Sequence, residues 1–134
     1  MQAHAIGTFE VKMRPQTIHD EALGSAISRL SLDKQFHGDL QATSKGEMLA
    51  ARSVVQGSAG YVALEQVTGI LQGHAGSFVL QHSGTMTRGV PQLLVTVVPD
   101  SGTGQLVGLS GTLSIKIEND KHLYDLDYSI ADAE

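Results

Sequence analysis

Apolar and polar residues alternate with a period of two along most of this chain, the spacing of strands with one buried face. The clearest case runs from Leu106 to Glu118. Val107, Leu109, Leu113, Ile115 and Ile117 share one face, and Gly108, Ser110, Thr112, Ser114, Lys116 and Glu118 share the other. Asn119-Asp120 follows, then a second alternating stretch from His122 to Ile130 with His122, Tyr124, Leu126 and Tyr128 in phase. So short a polar link between two such stretches predicts a hairpin. Upstream, Gln92 to Val98 is β-branched and apolar and ends at Pro99-Asp100-Ser101-Gly102-Thr103-Gly104, a dense turn signal. Ser77 to Thr87 puts Phe78, Leu80, His82 and Met86 on one face. Tyr61 to Gln72 precedes it, linked through Gly73-His74-Ala75-Gly76. Leu40 to Ser44 and Met48 to Val55 flank Lys45-Gly46-Glu47, as two short strands or one bent one. Ile27 to Phe36 has Leu30, Leu32, Lys34 and Phe36 in phase, and His4 to Met13 has Ala5, Phe9, Val11 and Met13 in phase. Only Thr17 to Ile27 resembles a helix. There His19 to Leu23 suits a single turn that Gly24 would end.

Strands of this length joined by short links predict an antiparallel meander. About eight of them in one small chain favour closure, which removes the exposed edges of an open sheet. The expected architecture is all-β, a single antiparallel eight-stranded barrel over residues 1–134 with at most one short helical turn. A barrel of that size has room for packed side chains or for one small ligand. Glycine, at 15 of 134 residues, discourages long helices and suits strands that bend tightly.

Composition removes several function classes. With no cysteine, the chain has no disulfide framework, thiolate metal site or cysteine nucleophile. Nine Lys+Arg against 14 Asp+Glu give a net charge of −5, the wrong sign for a non-specific nucleic-acid binder. No apolar run approaches the roughly 20 residues of a membrane-spanning helix. Met1 to Arg14 mixes charged and apolar residues, unlike a signal peptide, and the cytoplasm is the expected compartment.

The chemistry-bearing residues are few. Glu65 lies mid-strand, and the two faces of its strand are almost equally apolar, so phase leaves it inward or outward. Inward, a carboxylate needs a partner or a raised pKa and becomes an acid/base candidate; outward, it is solvated. Lys34 is in phase with an apolar face, with Glu65 as one possible partner. The alternative is a packed stem with its head in water. His82 and His122 lie in phase with apolar residues, where a histidine can bond a ligand, act as a base or simply be a satisfied core residue. Tyr61, Tyr124 and Tyr128 can offer hydroxyls to a ligand or serve as core and rim aromatics. The six histidines are scattered, without HExxH or His-x-His spacing, and no metal is expected. Gly102-Thr103-Gly104 continues to Gly108 without a dinucleotide fingerprint, and GxxxxGK[ST] and GxSxG are absent, so no cofactor is expected. In Gln81-His82-Ser83, adjacent strand residues face opposite sides, which argues against a Ser/His nucleophile pair.

Four runs go beyond generic strand patterning: Asp33-Lys34-Gln35-Phe36-His37-Gly38-Asp39-Leu40, Gly57-Ser58-Ala59-Gly60-Tyr61-Val62-Ala63-Leu64-Glu65, Gly76 to Met86, and Val97-Val98-Pro99-Asp100-Ser101-Gly102-Thr103-Gly104. Together they resemble a bacterial family of unknown function whose members look like the allene oxide cyclase-type barrel, a fold also used by plant dirigent proteins. The resemblance spans about Phe9 to Tyr128. It implies a fold rather than a reaction, because shared architecture does not carry activity. It also implies a homo-oligomer, with a dimer as the simplest form.

The leading functional expectation is a barrel that binds a small, mostly apolar molecule. Tyr61, Glu65, His82, His122 and Tyr124 would supply polar contacts, with Lys34 at the rim. One alternative is an isomerase or cyclase in which Glu65 or His122 moves a proton. Another is a packed structural barrel whose Tyr61–Gln72 strand, apolar on both faces, meets another subunit.

Overall fold

A computed structural model of the chain describes residues 2–18 and 26–131. The strands are β1 (Gln2–Gln16), β2 (Ile27–Gly38), β3 (Leu40–Arg52), β4 (Ala59–Leu71), β5 (His74–Thr87), β6 (Val90–Val97), β7 (Leu109–Glu118) and β8 (Lys121–Ile130). They form a closed barrel in sequence order, each pair antiparallel, with β1 completing the circle against β8. The alternation read from the sequence is the alternation of the barrel wall. One phase points inward and the other meets solvent.

Three links are two-residue turns in left-handed conformation: Gln72-Gly73, Arg88-Gly89 and Asn119-Asp120. Such turns twist in the sense the flanking strands need. The β4–β5 link is therefore shorter than the expected Gly73-to-Gly76 connection, and His74 already belongs to β5. Lys45-Gly46-Glu47 does not interrupt a strand; β3 is continuous through it. The Leu106-to-Glu118 stretch begins as a strand only at Leu109. Gly104–Leu106 is instead a 3₁₀ turn. Leu106 is buried from that turn, while Val107 is exposed and Gly108 takes a left-handed φ of 88° that breaks the alternation. The helical turn expected at His19 to Leu23 lies outside the described residues.

The two ends of the barrel differ. At the end formed by the β2–β3, β4–β5 and β6–β7 links, Leu40, Leu71, Leu106, Leu109, Leu126 and Tyr128 are fully buried. The 3₁₀ turn seals this end. Thr103 there is bonded to Ser77 of β5, with its backbone N donating to the Ser77 carbonyl at 2.8 Å. The opposite end carries the β3–β4, β5–β6 and β7–β8 links, with the end of β1 and the start of β2. There Met13, Met86, Leu93 and Ile117 are in the inward phase yet 42–68% exposed. These exposed side chains give this end an apolar rim, the mouth of the barrel.

Candidate functional site

Below the mouth the wall turns polar. β4 points Glu65 inward, with Ala63 and Val67 buried on either side of it in phase. β2 points Lys34 inward between Leu32 and Phe36, β5 does the same for His82, and β3 for Ser44. The phase that the sequence left open for Glu65 and Lys34 is thus inward for both. These four are the buried polar side chains among the described residues.

They form one cluster around the Glu65 carboxylate. Lys34 Nζ donates to Oε2 at 2.7 Å, His82 Nε2 lies 2.5 Å from the same oxygen, and Ser44 Oγ donates to Oε1 at 2.8 Å. β3 lies between Lys34 and Glu65, and at this level it presents only Gly46 and Ser44. Gly46 is the ladder partner of Glu65, and Ser44 is the partner of Lys34. Nothing larger than a hydroxymethyl group therefore separates the ammonium from the carboxylate. Burial alone would raise the Glu65 pKa. The His82 hydrogen bond and the Lys34 ammonium outweigh it and hold the group at about 2.

Aromatic rings frame the cluster. Lys34 Nζ lies 4.9 Å from the centroid of Phe9 and 5.9 Å from that of Phe36, within cation–π range. Phe9 stacks on His122 at 5.0 Å. Tyr61 sits 6.2 Å from the His82 ring. Burial, then the Glu65 charge, push the Tyr61 phenol above its ordinary value. Tyr61, Glu65, His82, His122 and Lys34 thus gather on one stretch of inner wall.

Tyr124 stands apart. Its hydroxyl donates to the His37 carbonyl at 2.8 Å and accepts from the Leu40 amide at 2.9 Å, fixing the β2–β3 turn. Tyr128 bonds Gln72 at the closed end. Ser44 was not singled out from the sequence, although its phase with buried Leu40 and Ala42 places it inward.

The cluster also has unused capacity. His82 Nδ1 has no hydrogen-bond partner among the described residues. No fully buried side-chain nitrogen or oxygen there is left without one, so Nδ1 keeps a little accessible surface, although His82 as a whole is only 4% exposed. The Tyr61 hydroxyl is in the same position. Among the described residues no three His, Asp or Glu side chains are grouped to hold a metal ion. His82 and Ser83 point to opposite faces, with Ser83 exposed.

A separate open groove of about 850 Å³ lies on the outer face of β3–β5. The outward side chains Leu49, Val62, Leu64 and Val79 line it, with Lys45 and Glu47 at its border. The Glu65 side chain is fully buried, so only its backbone touches this groove.

Fold and site together define a closed eight-stranded barrel with one sealed end and a charged, hydrogen-bonded cluster beneath an apolar mouth. The chain belongs to the DUF3224 family of proteins of unknown function, whose pattern matches residues 5–128. It is similar to the crystal structure, at 1.84 Å resolution, of a DUF3224 protein of unknown function from Shewanella oneidensis MR-1. The two share 48% identity and a TM-score of 0.93, over 99% of this chain and 100% of that one. Nothing matches among the curated proteins.

Proposed function

We propose that the protein binds a small, mostly apolar molecule in the mouth of the barrel. One observation carries this reading. Inward-phase apolar side chains stand exposed at the mouth, directly above a buried Lys34–Glu65–His82 cluster that retains a free imidazole nitrogen. Concave apolar walls with a few convergent polar groups are the usual form of a ligand site. An apolar fluorescent dye titrated into the wild type and into Met86→Glu tests the proposal. At least tenfold weaker binding by the variant is expected; equal binding would overturn it. A turnover-based reading, an isomerase or cyclase, is favoured by the carboxylate-bound histidine at the same place.

We also propose that two copies pair through the outer face of β3–β5. Leu49, Val62 and Leu64 are 47–54% exposed there, an apolar patch of the kind interfaces cover. The face carries both Lys45 and Glu47, so a two-fold axis can set each against its opposite charge. Light scattering should give a dimer mass for the wild type and a monomer for Val62→Lys. A monomeric wild type at high concentration would refute the pairing.

A further inference from the structure

The ligand class follows from the free nitrogen of His82, provided the mouth is the binding site as proposed above. Glu65 Oε2 accepts from His82 Nε2 at 2.5 Å, so that nitrogen carries the ring hydrogen. A hydrogen bond at one imidazole nitrogen decides what the other can do. Lys34 bonds the same carboxylate oxygen. With Lys34 charged and Glu65 ionised, the cluster is neutral when His82 holds that single proton. Nδ1 is then a lone-pair acceptor without a partner among the described residues and not fully enclosed, with the Tyr61 ring nearby.

An acceptor at the base of an apolar mouth selects a hydrogen-bond donor on an apolar body. The Lys34 ammonium and His82 Nε2 share one oxygen, so they lie within about two hydrogen-bond lengths of each other. The hydrogen of an acidic hydroxyl carries more positive charge than that of an aliphatic alcohol, so it bonds the Nδ1 lone pair more strongly. A phenol or an enol meets both conditions, and an aliphatic hydrocarbon meets neither. The carboxylate holds the imidazole in place, much as buried carboxylates orient imidazoles at other sites.

We infer that the mouth takes an amphipathic phenol or enol, its apolar body against the mouth and its acidic hydroxyl on His82 Nδ1.

The test compares 2-naphthol with 2-methylnaphthalene, two probes of the same shape that differ in the hydroxyl. Binding to the full chain is measured by fluorescence, and the His82 ring nitrogens are followed by ¹⁵N NMR. Naphthol should bind at least tenfold more tightly, and the His82 Nδ1 signal should move on saturation. His82→Gln, which keeps a donor for Glu65 but loses the imidazole, should erase the preference. If both probes bind alike while the imidazole signals stay still, the mouth binds apolar molecules but this inference is overturned. If neither probe binds, the mouth reading fails and the inference fails with it. The wild-type comparison decides these outcomes even if the variant does not fold.

Discussion

Gly46 and Glu65 face each other across the β3–β4 ladder with no space for a methyl group between them. A Cβ at position 46 would lie 2.1 Å from the Leu64 carbonyl oxygen and 2.6 Å from the Glu65 Cα. Both are backbone atoms, so no rotamer change can relieve the clash. Gly46→Ala should destabilise the barrel by about 1–3 kcal/mol, the usual cost of overpacking. Thermal unfolding should show this as a drop of several degrees in Tm. An unchanged Tm would mean that β3 can shift away from β4 at little cost.

Removing one partner of the buried ion pair should be far worse than removing both. Glu65→Gln leaves the Lys34 ammonium buried without its counter-charge, which typically costs about 3–5 kcal/mol. Lys34→Met combined with Glu65→Gln removes both charges, and much of that loss should be recovered. Denaturant titration of the single and double variants gives the comparison. A double variant as unstable as the sum of its singles would show that the pair is not the source of the penalty.

Acid should find the same cluster. The folded state holds the Glu65 carboxyl at about 2, below its ordinary 4.5. A depressed carboxylate contributes stability above its unfolded value, and that stability disappears as pH falls through the folded value. The loss should therefore spread between about pH 5 and pH 2 and reach on the order of 3 kcal/mol. The Lys34→Met/Glu65→Gln variant should have a flatter stability curve across this window. Parallel curves for the two proteins would place the acid sensitivity elsewhere.

Tyr124 should behave as a structural residue. Tyr124→Phe leaves the buried Leu40 amide without its acceptor, at a cost of about 1–3 kcal/mol. Dye binding at the mouth should not change. A loss of binding at unchanged stability would move Tyr124 into the site after all.

Much of the fold was legible because the barrel repeats one rule, apolar inward and polar outward, strand after strand. The rule failed where a residue is apolar for some other reason. Val62, Leu64 and Ile70 face outward on β4, and Tyr61, Val67 and Leu71 face inward, so the strand that holds Glu65 had no readable phase. Leu106 mimicked the start of β7 because it fills the sealed end from a 3₁₀ turn. Lys34 and Glu65 are 31 positions apart in the chain. Their pairing depends on barrel curvature and on the small residues of β3, neither of which local spacing encodes. Gly46 was readable as either a break or a bend, yet its missing side chain is what lets the carboxylate sit where it does.

The pairing of β1 with β8 has a consequence for synthesis. The ladder joins Gln2 to Ser129 and Phe9 to His122, so the first strand waits for the last. While the ribosome is still adding residues 121–130, the nascent sheet has two unpaired borders and an unsealed apolar lining. A pause before β8 emerges would expose both to neighbouring chains. Charged residues on β8, Asp125 and Asp127, bond His4 and Gln2 in the finished barrel. They would make β8 a poor partner for an unrelated apolar edge and a good one for β1.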